Sequence, residues 1–168
     1  MNPWLVTSAL MLMAAASTAA ADDAAMAPGP HDATVAQIFE DEAGHWEGAC
    51  KRAGSGSIRA VFDIAWSEAL GHTFEGHYGD AFVQGRSEII GGHRIDHLAG
   101  ADAPSEMRIE SAARAAPDRY RYVLTDASTR MVISRLADRQ VMEVTPLDAP
   151  ALPVRLCTYT RTGPPETR

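Results

Sequence analysis

The chain has 168 residues, of which 46% are hydrophobic, and its formal net charge is −7. This length suits one domain with a proper hydrophobic core, not two. The acidic balance, without a cluster of Lys and Arg, excludes the electrostatic footprint of a nucleic-acid-binding protein and a general attraction to anionic lipid surfaces.

The N-terminus has the layout of a secretory signal peptide. An uncharged apolar run extends from Leu5 to Ala16, small residues follow up to Ala21, and Asp22 is the first charged residue. The run is shorter than the roughly 20 residues that span a bilayer. We therefore predict a signal peptide of residues 1–21, export to the periplasm or the medium, and a mature chain without a stable membrane span. An uncleaved N-terminal anchor is the alternative, because no Lys or Arg precedes the apolar run.

A flexible leader is predicted for residues 22–33, which mix acids with Ala, Pro and Gly and show no periodicity. The folded domain, residues 34–162, is predicted to begin with one short amphipathic helix that ends before Gly44. Apolar side chains recur there at the spacing of one helix face, namely Val35, Ile38 and Phe39. We expect the side chain of Asp32 or Thr34 to cap the first turn.

After the helix, the apolar period changes to that of a strand. Alternation is clearest in residues 58–66, and turn residues separate further strand-like segments. These segments are 72–78, 82–90, 94–98, 107–111, 120–124, 130–136, 140–145 and 154–160. About eight to ten short strands without a second helix predict a mostly β, antiparallel domain, either an up-and-down barrel or a sandwich. Residues 163–168 are predicted to be a tail.

Two cysteines, Cys50 and Cys157, lie near the two ends of the strand series. An even pair in an exported chain indicates a disulfide, although two inert buried thiols are the alternative. An up-and-down barrel closes by pairing its first strand with its last. A bond between these cysteines therefore favours the barrel over the sandwich, without excluding a sandwich whose terminal strands are joined.

The short helix, followed by Gly44-His45-Trp46 at the start of a series of antiparallel strands, resembles the calycin superfamily and in particular its bacterial lipocalin-like domains. The resemblance implies that Trp46 closes the base of the barrel, with a basic residue, Arg155 or Arg161, packed on it. It also implies a small apolar ligand in the barrel, or haem in a few members.

The inward positions of the strands supply a candidate ligand surface. Its predicted members are Phe62, Ile64, Trp66, His72, Phe74, Tyr78, Tyr120 and Tyr122. A ligand site needs apolar walls with a few polar anchors, which this set offers. The same alternation also builds a core that side chains fill completely. A binder of a small hydrophobic ligand and an envelope module that binds or supports other proteins therefore both fit the sequence.

The histidines offer more specific chemistry. His93 and His97 share one strand face about 13 Å apart, too far to hold one metal ion, so no metal site is predicted. His72 shares its face with Phe74 and Tyr78 and is expected to point inward. A haem-binding or weakly enzymatic barrel that uses this His is a further hypothesis, beside a hydrogen-bonded structural His.

The sequence carries no recognisable set of catalytic residues. Ser55 and Ser57 lie in a Gly-Ser loop without the Gly-x-Ser-x-Gly nucleophile elbow, and the acids form no pair suited to acid–base catalysis. Arg86 is a candidate inward anchor for a carboxylate, whereas Arg119 and Arg121 are expected in solvent. The pattern favours a binding protein over an enzyme and predicts no cofactor.

Overall fold

The computed structural model describes residues 26–150 and 153–164. The predicted signal peptide, residues 1–21, lies outside the described residues, as do residues 22–25 of the predicted leader and the end of the predicted tail. No helix within the described ranges is long and apolar enough to cross a lipid bilayer.

Ten antiparallel strands form a closed barrel in which each strand pairs with its neighbours in sequence and the last strand pairs with the first. Helix α1 (Asp32–Glu42) precedes β1 (Gly44–Arg52), β2 (Ser57–Ser67), β3 (Gly71–Tyr78), β4 (Ala81–Ile90), β5 (His93–Leu98), β6 (Ser105–Ala116), β7 (Arg119–Thr125), β8 (Thr129–Leu136), β9 (Arg139–Pro146) and β10 (Arg155–Gly163). The prediction of a mostly β up-and-down barrel with one short N-terminal helix is confirmed, and the sandwich is excluded.

The seam between β1 and β10 is fixed by the Cys50–Cys157 disulfide. The two residues are direct partners across the strands, their Cα atoms are 3.9 Å apart, and both side chains are fully buried. The predicted disulfide is therefore present in the structure, and the alternative of two separate thiols does not apply.

Helix α1 closes one end of the barrel, as its apolar period predicts. Val35, Ile38 and Phe39 are buried, and they form one core cluster with residues from β6, β7 and β8: Met107, Ile109, Tyr120, Tyr122, Leu124 and Ile133. Burying this helix face supplies the apolar contacts that a single short helix cannot provide alone. We call this the helix end of the barrel, and the opposite end, where β1 finishes and β10 begins, the outer end.

The start of the helix differs from the prediction. It begins at Asp32, two residues earlier than expected, and His31 at its N-cap makes no side-chain capping bond. Neither Asp32 nor Thr34 caps the helix, so that prediction is wrong. The Asp32 carboxylate instead accepts hydrogen bonds from the backbone N–H groups of Gly29, at 2.7 Å, and of Gly92, at 3.1 Å. Asp32 thus ties the end of the predicted leader to the turn between β4 and β5.

Reduction of the disulfide should lower the free energy of unfolding by about 4–5 kcal/mol, because the bond spans 107 residues of sequence and restricts the unfolded chain accordingly. Urea unfolding of the oxidised and reduced protein, followed by circular dichroism, measures the difference. The Cys50→Ala/Cys157→Ala variant should unfold at a midpoint close to that of the reduced protein. A difference below about 1 kcal/mol would contradict the expectation.

Candidate functional site

A cavity of about 380 Å³ lies inside the barrel. It reaches from Glu42 and His72 at the helix end to Arg52 and Arg155 at the outer end. Much of the wall between them is apolar and comes from strands on all sides of the barrel, including Phe62, Ile64, Phe74, Val83, Met131, Ile133 and Met142. Arg52 and Ala81 are exposed as well as lining the cavity, so the outer end meets solvent.

Six of the eight residues predicted as a ligand surface line this cavity: Phe62, Ile64, His72, Phe74, Tyr78 and Tyr122. The other two, Trp66 and Tyr120, do not line the cavity. Trp66 sits near the end of β2, where it borders a groove beside α1 and remains 36% exposed. Tyr120 belongs to the core beneath α1, where its hydroxyl donates to Glu42 Oε1 at 3.2 Å.

The carboxylate of Glu42, the last residue of α1, is inserted into the barrel and is only 2% exposed. Its Oε1 accepts hydrogen bonds from three side chains of the barrel: Tyr120 at 3.2 Å, Tyr122 at 3.2 Å and Gln140 Nε2 at 3.0 Å. Its Oε2 lies 3.1 Å from Nε2 of His72, which is equally buried. A charged group removed from water in this way requires such partners.

Arg94 on β5 extends this network. Its Nη1 donates to the Tyr122 hydroxyl at 3.0 Å, so Tyr122 connects the guanidinium to the carboxylate of Glu42. Its Nε donates to Asp96 at 2.8 Å and its Nη2 to Ser87 at 3.2 Å. At the helix end of the cavity, the charges of Glu42 and Arg94 are therefore compensated by neighbouring polar side chains.

The pKa values follow from this arrangement. Burial alone would raise the pKa of Glu42, but the interactions with His72, the positive charge of Arg94 and the Tyr122 hydroxyl together hold it below its ordinary value of 4.5. Burial and the neighbouring Glu42 raise the pKa values of Tyr120 and Tyr122. At neutral pH, Glu42 is thus an anion and both tyrosines are neutral hydrogen-bond donors.

Trp46 lies at the helix end and is 1% exposed. Its indole Nε1 donates to the backbone carbonyl of Glu42 at 2.8 Å. The basic residue on its ring is neither Arg155 nor Arg161 but Arg135, whose guanidinium carbon lies 5.0 Å from the ring centroid. A cation over an indole face is a favourable contact.

Other predicted residues lie outside the cavity. Arg86 is outward and contacts Glu88, because the inward positions of β4 include Ser87 instead. His93 and His97 are also outward and approach Glu106 and Glu88. Within the described ranges, no group of three or more His, Cys, Asp or Glu side chains is arranged to hold a metal ion.

Sequence analysis missed four polar residues of the helix end: Glu42, Arg94, Asp96 and Gln140. For Glu42 a signal exists, because it lies four residues after Ile38 and three after Phe39, on the same helix face. In β5, Arg94 and Asp96 alternate with His93 and Ile95. The sequence of this short strand does not indicate which of the two alternating pairs points into the barrel. Gln140 is the second residue of β9, and no pattern in the sequence distinguishes it.

A scan against protein-family models finds no match to this chain, and no curated protein and no solved structure matches it.

Replacing Glu42 by Gln should destabilise the fold by about 3–5 kcal/mol, because it removes the buried anion that compensates Arg94. Urea unfolding at neutral pH measures the loss. Glu40→Gln is the matched control, since Glu40 is exposed on the same helix and loses the same charge. Equal stability of the two variants would show that the buried carboxylate contributes nothing.

The stability of the wild type should also depend on Glu42 in acid. A carboxyl with a lowered folded-state pKa stabilises the fold fully above its unfolded value, 4.5, and this stabilisation is lost as the pH falls through the folded-state pKa. The stability difference between wild type and Glu42→Gln should therefore shrink below pH 4.5. Unfolding curves recorded across this range test the expectation, and a difference that grows on acidification would contradict it.

Proposed function

We propose that this chain is an exported, lipocalin-like protein that holds a small hydrophobic molecule inside its barrel. The observation that carries the proposal is the internal cavity of about 380 Å³ with its apolar walls. Ligand pockets commonly measure about 300–1,000 Å³ and combine such walls with a few polar groups. A barrel whose core was filled by side chains would leave no space of this size.

The kinship to lipocalin-like domains is supported by the residues around Trp46. A side chain at Gly44 would collide with Arg161, so the helix-to-strand connection favours glycine here. Trp46 then packs at the base of the barrel and donates to the helix carbonyl of Glu42. Gly44 and Trp46 of the Gly44-His45-Trp46 element thus each have a defined structural role.

Export is supported by the buried disulfide, which persists in oxidising compartments and is rare in reducing ones. It agrees with the signal-peptide layout of residues 1–21. Together, these features favour the periplasm or the medium as the compartment in which the protein binds its ligand.

Among the other hypotheses, an interaction module with a filled core is disfavoured by the cavity itself. A haem-binding or catalytic His72 is disfavoured by the contacts of its ring. Nε2 faces the Glu42 carboxylate at 3.1 Å, and Phe39 stacks on the ring with centroids 4.2 Å apart. We therefore assign His72 to the structural network of the helix end.

Filling the cavity should abolish ligand binding without unfolding the barrel. Val83→Phe adds an aromatic ring to the cavity wall, whereas Gln84→Phe adds the same ring to the exposed face of the same strand. Native mass spectrometry of protein purified from its own host should show an extra apolar mass on the wild type and on Gln84→Phe, and a strongly reduced one on Val83→Phe. Absence of any bound mass from the wild type, or equal loading of both variants, would contradict the proposal.

A further inference from the structure

Two arginines at the outer end of the cavity form no ion pair with any carboxylate of residues 26–150 or 153–164. Arg52 on β1 and Arg155 on β10 are direct partners across the seam, and both line the cavity. Within the part of the chain that the structure describes, the arginines that pair with carboxylates are others: Arg59, Arg86, Arg94, Arg114 and Arg130. Like charges placed directly opposite each other on neighbouring strands repel, so this pair is unfavourable unless an anion joins it.

Both guanidinium groups lie over the ring of Tyr78. Their carbons are 5.8 Å and 5.7 Å from its centroid, for Arg52 and Arg155 respectively. The ring face offsets part of the repulsion but neutralises neither charge. The Tyr78 hydroxyl is buried and has no hydrogen-bond partner among the described residues. Two cations and one unused hydroxyl therefore come together at the rim of an apolar cavity.

Among the described residues that line the cavity, no anion compensates these two cations locally. Tyr159 lines the same region of the cavity. Burial, together with the neighbouring Tyr78, raises the pKa of Tyr159 to about 12, although Arg155 acts in the opposite direction. The phenol of Tyr159 is therefore neutral. The acids of the lining, Glu42 and Asp96, are engaged with Arg94 and its neighbours. The outer rim is thus a local positive site in a chain of net charge −7. Apolar walls of low dielectric strengthen its field towards the cavity.

We propose that the cavity binds an amphipathic carboxylate, with its apolar chain along the barrel wall and its carboxylate held by Arg52 and Arg155 at the outer end. The proposal rests on the proposed function and defines the class of its ligand. Arginine is suited to this task because its planar guanidinium donates two parallel hydrogen bonds to a carboxylate. The head group lies near solvent, and the polar network around Glu42 and Arg94 at the helix end forms the floor of the cavity.

Three probes of equal chain length and different head-group charge test this assignment: decanoate, decanol and decylamine. Isothermal titration of the oxidised protein, stripped of bound lipid, should rank decanoate above decanol and decanol above decylamine. In the Arg52→Gln/Arg155→Gln variant, the affinity for decanoate should fall by about tenfold to a hundredfold, the range expected for lost charge-assisted hydrogen bonds. The affinity for decanol should change less than about threefold, because it carries no charge.

Lys51→Gln is the matched control. Lys51 precedes Arg52 on β1, is exposed, and lies outside the cavity lining, so its substitution removes one positive charge, as each single arginine substitution does, from the opposite face of the strand. Its affinity for decanoate should equal that of the wild type.

Should the double variant fail to fold, the single variants Arg52→Gln and Arg155→Gln and the salt dependence of the wild type provide the same comparison. Added salt should weaken decanoate binding and leave decanol binding unchanged.

The outcomes separate the two proposals. Equal binding of decanoate and decanol, with no effect of the arginine substitutions, would overturn the carboxylate assignment and leave the hydrophobic cavity in place. A preference for decylamine, or an equal loss in Lys51→Gln, would also overturn it. Failure of all three probes to bind would instead remove the cavity function and the head-group assignment together.

Discussion

The interior of this barrel depends on how the last turn of α1 is anchored. Three barrel side chains donate to the final carbonyls of the helix: Arg135 to Asp41 at 2.6 Å, Trp46 to Glu42 at 2.8 Å, and Arg161 to Ala43. These carbonyls have no partner within the helix, and burial without partners would be costly. Because the turn is fixed in this position, the Glu42 side chain has to enter the barrel.

A carboxylate at that position is unfavourable on two counts, since it is buried and it sits at the negative end of the helix dipole. The barrel compensates with hydroxyls, an amide, a His ring and the guanidinium of Arg94. The hydrogen-bonding capacity of Glu42 is largely used within this network. The polar groups of the helix end are therefore better suited to hold the helix in place than to bind a ligand. The apolar walls and the two outer arginines line the cavity and do not take part in the hydrogen bonds to Glu42.

The sequence predicted the architecture because simple periodicities determine it. Alternation located the strands, the spacing of Val35, Ile38 and Phe39 located the helix, and the two terminal cysteines indicated the seam. The polar floor was not predictable in the same way. Whether Arg94 or His93 faces inward depends on the register of a six-residue strand against its neighbours, which no local pattern specifies. Which arginine packs on the Trp46 ring was not predictable either. Arg135 lies on β8 and Trp46 on β1, and their contact depends on how these two non-adjacent strands are staggered in the barrel.

The existence of the cavity follows from the number of strands. Barrel diameter grows with strand number, and about eight strands already give an interior that side chains just fill. Ten strands enclose more space than that. At the helix end, α1 and the Glu42 network occupy it; towards the outer end, no element of the described chain enters the barrel. The inward residues of that half include small side chains, such as Ala60 and Ala81, and the buried disulfide, beside larger ones such as Tyr78. The largely apolar cavity beneath Arg52 and Arg155 is thus a consequence of closing ten strands into a barrel whose helix fills only one end.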